Sequence, residues 1–250
     1  MIEQTKNKKK MKRLKNLLPL FLMALITSMT LVSCLDSDDD ETMSQERKEQ
    51  CKMLMSGNYA GKLYWFDKNI DKSQYPKQVD SLQTSLRVSL DGTMTLYGFP
   101  IKLFFKELDV TANYSEEKLA SLSDQQRATL KRNDEIVKAA EEYGTADLTI
   151  GYDFYAERSS IFYYVCQPKG VTFKLNYGGT THDMAVGFVM NSPGIYANKM
   201  NSLQIVQYGI YDGKDSANNY VLLDGKPLYS ETLTDADLLK LKFEFDGTQL

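Results

Sequence analysis

Few side chains in this sequence are able to carry chemistry, and their spacing decides which chemistry that is. There are three cysteines, Cys34, Cys51 and Cys166, and a single histidine, His182. Cys34 closes the run Leu31-Val32-Ser33-Cys34 at the end of an apolar stretch. A thiol there is a candidate nucleophile. Any Ser-His-Asp or Cys-His site would have to use His182. A two-residue turn at Gly178-Gly179 pairs Val171 with Val186, Phe173 with Met184 and Leu175 with His182. The histidine therefore falls on an apolar side near a turn and reads as a hydrogen-bonded rim residue, not a base.

Zinc sites of the usual kinds need several Cys and His ligands, which this composition does not supply. No Gly-rich phosphate loop of Walker or Rossmann spacing is present. The sequence thus predicts no catalytic residue, no metal site and no cofactor. Asp153 and Glu157 flank the aromatic residues Tyr152, Phe154 and Tyr155 and read as surface carboxylates at a turn. A carboxylate-based hydrolase such as a glycosidase is the alternative, because such a pair is defined by spatial separation and not by sequence. Asp36, Asp38 and Asp40 lack the spaced Asx residues, Gly and distant Glu of a calcium loop and read as a tether.

Aromatic side chains are the stronger signal for binding. After residue 33 the chain keeps 16 Tyr, 10 Phe and one Trp. Tyr64-Trp65-Phe66 and Phe162-Tyr163-Tyr164 are consecutive, so strand alternation sends some rings to each face. Tyr64, Trp65, Tyr163 and Tyr164 are the candidate ligand-binding aromatics, since exposed Tyr and Trp suit sugar stacking and protein contact alike. Cys51 and Cys166 allow two arrangements: a bridge stapling the entry segment to the sheet, or two unpaired thiols with Cys166 a small buried apolar residue.

The elements that must position these groups are mostly strands. Asn58–Phe66 reads as the first strand, and residues 67–83, with Pro76, as a loop. Around Asp91-Gly92, a three-residue loop, Leu90-Asp91-Gly92, pairs Val88 with Met94 and Leu86 with Leu96, keeping the apolar residues on one face. Ile101–Phe105 is a candidate short strand. Residues 115–143 read as one helix, or two broken near Asn133, with a Ser123/Gln126 capping box, an apolar face at Leu119, Leu122, Leu130, Val137 and Ala140, and a stop at Gly144. Further strands are expected at Ala146–Tyr155, Ser159–Cys166, Val171–Tyr177, Thr180–Val189, Ser202–Tyr211, Tyr220–Leu223 and Leu239–Phe245. In the last, Leu239, Leu241, Phe243 and Phe245 alternate with Lys240, Lys242 and Glu244, a half-buried strand with one wet face. Turns are expected at Asp212-Gly213 and Asp224-Gly225. The fold class is mainly β (α+β): an antiparallel sandwich or barrel of about nine or ten strands with one helical insertion.

The leader explains the first cysteine. A basic run (Lys6, Lys8, Lys9, Lys10, Lys12, Arg13, Lys15) precedes an apolar stretch from Leu17 to Val32, the pattern of a secretory signal. With Leu31-Val32-Ser33-Cys34 this resembles the lipobox of bacterial lipoproteins, which implies cleavage before Cys34 and acylation of its thiol. The following Leu35-Asp36-Ser37-Asp38-Asp39-Asp40-Glu41 resembles the acidic export signal of Bacteroidetes surface lipoproteins. That resemblance implies the outer face of the outer membrane, with periplasm-facing anchorage as the alternative. Gly57-Asn58-Tyr59-Ala60-Gly61-Lys62-Leu63 resembles the first strand of lipocalin-like barrels in such proteins.

The expected organisation is a signal peptide at 1–33, a lipidated cysteine with an acidic tether and polar lead-in at 34–55, and one β-rich domain at 56–250. Removing residues 1–33 takes away seven of 30 basic and one of 33 acidic residues, leaving 23 against 32, a net charge of −9. That excess argues against nucleic acid or anionic lipid headgroups as partners, since such binding needs clustered Lys/Arg. The resemblance to surface lipoproteins implies capture of a glycan or other nutrient, or contact with an envelope protein, by a non-catalytic module; a structural, adhesion-like role is a further alternative.

Overall fold

In the computed structural model, residues 43–66, 80–109, 111, 114–224 and 241–250 are described. Leader, Cys34 and acidic tether lie outside these residues, as do most of the expected 67–83 loop and the Asp224-Gly225 turn beyond Asp224. Eleven strands are present among the described residues: β1 Gly57–Phe66, β2 Asp80–Val88, β3 Thr93–Pro100, β4 Thr145–Arg158, β5 Ile161–Pro168, β6 Val171–Tyr177, β7 Thr180–Phe188, β8 Ser192–Ala197, β9 Met200–Lys214, β10 Tyr220–Leu222 and β11 Lys242–Gln249. Helices are α1 Gln45–Met55, α2 Glu116–Ala120 and α3 Asp124–Tyr143, with a 3-10 helix over Ile101–Leu108. Residues 44–250 form one compact unit.

Eight strands close a barrel in the order β11-β1-β2-β3-β4-β5-β8-β9, and β9 returns to β11. Of the two architectures the sequence allowed, this is the barrel. Residues directly opposite one another form continuous inward belts. One runs Tyr59, Leu86, Leu96, Leu148; another runs Leu63, Phe245, Leu203, Gly194, Tyr164, Phe154. All of these apart from the glycine belong to the buried hydrophobic core. Phe154, Tyr164, Tyr59, Phe243 and Phe245 are among the largest fully buried side chains.

β9 is long enough to serve two sheets. Its first half lies between β8 and β11 in the barrel, and its second half pairs with β7 and β10. β6, β7, β10 and the end of β9 thus form an annex sheet, with α3 packed against β6. α1 closes one pole of the barrel: Met55 and Cys51 are fully buried, and Tyr59 and Tyr196 donate their hydroxyls to the backbone carbonyls of Met55 and Leu54.

Both hairpin registers read from sequence are present: Val88 pairs with Met94 and Leu86 with Leu96, while Leu175 pairs with His182 across Gly178-Gly179. Gly92 at φ +83° takes the left-handed position of the first loop, and the Asp91 carboxylate accepts from the backbone N–H and hydroxyl of Thr93. The Ser123/Gln126 capping box and the stop at Gly144 also form.

Several expectations are corrected. Ile101–Phe105 is not a strand but the start of the 3-10 helix, whose apolar residues Ile101, Leu103, Phe104 and Phe105 turn down over the core behind Pro100. Residues 80–83, read as loop, begin β2. The helical break falls at 121–123, where Ser123 starts a new cap, and not near Asn133. The buried face of α3 is Asn133, Ile136, Ala139 and Ala140, shifted from the expected stripe. β8, Ser192–Ala197, is a strand the sequence reading does not include; it carries Pro193 and Gly194, residues that disfavour strands. Asp212-Gly213 lies inside β9, not in a turn. The expected wet face of the last strand includes Glu244, which is buried.

Candidate functional site

The densest polar constellation sits where the annex hairpin meets the end of β9. The Gly178-Gly179 turn, with φ of +58° and +78°, brings Tyr177 of β6 opposite Thr180 of β7. His182 follows two residues later on the same face, and Asp212 of β9 pairs with the next residue on that face, Met184. The His182 ring stacks on the Tyr177 ring with centroids 3.7 Å apart and planes 11° from parallel. His182 Nδ1 lies 3.0 Å from Asp212 Oδ2, and His182 Nε2 lies 2.9 Å from Thr180 Oγ1. Tyr177 donates its hydroxyl to Asp212 Oδ2 at 2.7 Å. Burial and the adjoining carboxylate raise the Tyr177 hydroxyl above its ordinary pKa.

His182 Nδ1 faces the Asp212 carboxylate and Nε2 faces the Thr180 hydroxyl, so each ring nitrogen has a hydrogen-bond partner. A hydroxyl, an imidazole and a carboxylate are thereby aligned as in a nucleophilic triad, in which the imidazole takes the hydroxyl proton and the carboxylate only orients the ring and stabilises its charge. Beside them a shallow groove runs between α3 and the hairpin, lined by Lys131, Glu135, Lys138, Asn176 and Tyr177. Glu135 accepts a hydrogen bond from the backbone N–H of Gly178 at the turn. His182 is a hydrogen-bonded rim residue, as its register suggested. Its carboxylate partner was invisible because Asp212 comes from a strand 30 residues away and was read as part of a turn.

A second cluster occupies the outer wall of the barrel. Along one belt Tyr64 pairs with Glu244 and Glu244 with Gln204; along the next Lys62 pairs with Asp246 and Asp246 with Ser202. Glu244 is ion-paired to Lys242 at 2.8 Å and accepts from Gln204 at 3.2 Å. Burial, with the Glu244 charge adding to it, pushes the Asp246 carboxyl up to about 6 against a hydrogen bond from Ser202. Burial and the Asp246 charge also raise the Tyr64 hydroxyl. Two carboxylates on one face of one strand, one ion-paired and one drawn towards its protonated form, have the asymmetry of a general base and a general acid.

The four candidate aromatics are not brought together. Tyr64 and Tyr163 lie on outward belts and Trp65 and Tyr164 on inward ones, as alternation along consecutive aromatics requires. Tyr164 is corrected from a binding platform to a core residue: it is fully buried and donates its hydroxyl to the Asn201 side chain. Tyr163, although on an outward belt, is also buried, against Tyr155, and is corrected in the same way. Trp65 is partly exposed, with Lys106 Nζ 5.6 Å from its ring centroid. Asp153 and Glu157 are both held by α1, through Lys48 at 2.7 Å and a bidentate contact from Arg47 at 2.7 Å to each oxygen. Of the two cysteine arrangements, the structure has the second: Cys51 and Cys166 are buried free thiols, and burial raises both above the ordinary thiol range. Among the described residues no group of three or more His, Cys, Asp or Glu is placed to hold a metal ion. No helix among them is long and apolar enough to cross a membrane.

Fold and clusters together define a closed eight-stranded β-barrel with a helix-backed annex sheet and a short helix across one pole. Residues 54–211 match the family described as a domain of unknown function, DUF4840, and the chain belongs to that family. The match takes in seven of the eight barrel strands and ends one residue before Asp212, with β11 beyond it. No curated protein and no solved structure matches the chain.

Proposed function

We propose that the chain is a cell-envelope lipoprotein, held at the outer membrane through acylated Cys34, whose barrel is a non-catalytic module for binding or scaffolding. The observation that carries this reading is the filled interior. Tyr59, Phe154, Tyr164, Phe243 and Phe245 occupy the inward belts and are fully buried, whereas a barrel that encloses a ligand keeps interior space for it. A partner therefore meets the outer surface, where Tyr97, Tyr143 and Tyr155 are exposed. Aromatic surfaces of this kind suit a glycan or another envelope protein. The lipobox and acidic tether support the address, with the barrel facing outward.

The test is direct. Purified mature protein should begin at Cys34 and carry fatty acyl mass, and Cys34→Ala should remain an unacylated precursor. Protease added to intact cells should remove the barrel. A glycan array and cross-linking on cells should then return at least one partner. A mature chain without acyl mass would sink the address, and silence in both binding screens would sink the module.

One observation favours a second reading, a carboxylate-based hydrolase: the split behaviour of Glu244 and Asp246. Two residues apart on one strand, they project from the same face, and the distance between their carboxyl groups, not between their Cα atoms, is what a glycosidase pair requires. Under this reading Glu244→Gln and Asp246→Asn each abolish glycan hydrolysis while leaving the fold intact; hydrolysis that survives both removes it.

A further inference from the structure

Among the described residues, five large apolar side chains are more than half exposed: Met53, Leu54, Leu90, Met190 and Leu250. Four of them lie at one pole. Met53 and Leu54 are on the last turn of α1, facing away from buried Cys51 and Met55. Leu90 is in the β2–β3 turn, two residues beyond Val88, which pairs with Gly57 at the start of β1. Leu250 donates its backbone N–H to Asn58, and the neighbouring Gln249 reaches Ser56 just past α1. Met190, in the β7–β8 turn, is the exception and lies at the far end of its strands.

The charges at this pole are mixed: Glu46 on α1 and Asp91 beside Leu90 are exposed carboxylates. The carboxylates of Glu49, Asp153 and Glu157 are each ion-paired, to Lys52, Lys48 and Arg47. Exposed Arg158 and Lys199 stand at the adjoining β4–β5 and β8–β9 turns. Apolar side chains projecting from a helix end and a short turn, with cations and carboxylates around them, suit a surface that dips into a zwitterionic headgroup layer. The chain from Cys34 enters here: nine residues, 35–43, separate Cys34 from Ser44, the N-cap of α1. Fully extended they reach about 30 Å, so an acylated Cys34 keeps this pole close to its bilayer.

We propose that the α1 pole docks on the lipid surface, with Met53, Leu54 and Leu90 inserted at the interface. The anchored barrel then stands upright, and its annex sheet and far pole face away from the membrane. This rests on the lipoprotein reading above, and the experiment separates the two. Met53→Cys, Leu90→Cys and the equally exposed control Met190→Cys each take one environment-sensitive fluorophore, because native Cys51 and Cys166 are buried. The acylated proteins are reconstituted into phosphatidylcholine vesicles containing spin-labelled lipid. Quenching at positions 53 and 90 should exceed that at 190 at least twofold, and dissolved iodide should show the opposite order. Acylated protein giving equal quenching at all three positions overturns the docking and leaves the anchor standing. Protein without acyl groups that fails to bind vesicles overturns both.

Discussion

The barrel interior and the edge of the annex sheet face the same difficulty, a tyrosine hydroxyl taken away from bulk water, and meet it with different partners. Inside, Tyr164 gives its hydroxyl to the neutral side chain of Asn201. At the annex, Tyr177 gives its hydroxyl to a carboxylate, Asp212, which also faces His182. Burying an unpaired charge costs far more than burying an amide. The interior therefore uses phenols and amides, while the partly exposed annex edge places a carboxyl group and an imidazole together. Chemistry that needs a charge or a mobile proton consequently belongs to the outside of this molecule: the annex quartet or the outer wall.

The largest effect that would test this contrast concerns glycine. The Cβ of any residue placed at Gly194 would fall within the Tyr164 ring. That ring is wedged between Tyr152 and Phe154, with centroids 6.0 and 5.8 Å away, and is tied to Asn201, so it has no room to retreat. Overpacking usually costs about 1–3 kcal/mol, and Gly194→Val should reach or exceed the upper end, read as a lowered urea midpoint or loss of soluble protein. Gly179→Ala in the annex turn meets nothing within 4 Å and pays only for its φ of +78°, about 1 kcal/mol. Equal losses at the two sites would show that the interior is not the tighter region.

These two glycines also show how far the sequence could be read. Gly178-Gly179 and Asp91-Gly92 announced their turns, and with them two registers that hold residue for residue. The Ser159-Ser160 and Asn198-Lys199 turns have positive φ at both central positions but no glycine, so β5 was begun early and β9 late. The role of Gly194, room for the Tyr164 ring on the next strand, is a tertiary contact that local sequence does not carry. The same limit hid the candidate sites. His182 and Asp212, or Tyr64 and Glu244, meet only after β9 and β11 have found their neighbours.

The outer wall supplies an intermediate case, a carboxyl that is buried yet ionisable. Asp246 has its pKa raised from an ordinary value near 4 to about 6. Between about pH 4 and pH 6 the folded chain holds a proton that the unfolded chain has released, so stability falls as pH rises through that window. At pH 7 the charged Asp246 costs up to about 3 kcal/mol. Asp246→Asn should flatten this slope and raise stability at neutral pH, leaving stability below pH 4 nearly unchanged. Urea midpoints from pH 4 to 8 decide it, and an unchanged slope would mean that water reaches this carboxyl.

The smallest expected effect compares the two tyrosines themselves. Tyr164→Phe leaves the Asn201 oxygen without its donor in the interior, beside an Asn201 Nδ2 that already has no partner. A buried polar atom stranded in this way costs about 1–3 kcal/mol. Tyr177→Phe also removes one donor, but Asp212 keeps His182 and is partly open to solvent. The ring that stacks on His182 survives the substitution, so the loss should stay near or below about 1 kcal/mol. The pair of phenylalanine variants, measured in one denaturant series, therefore gives a ratio set by solvent access, since each change removes a single hydroxyl. A ratio near one would mean that the annex quartet is sealed as tightly as the interior. The carboxyl group and imidazole at that edge would then need another source of stabilisation, such as the hydroxyl of Thr180 2.9 Å from the far side of the imidazole.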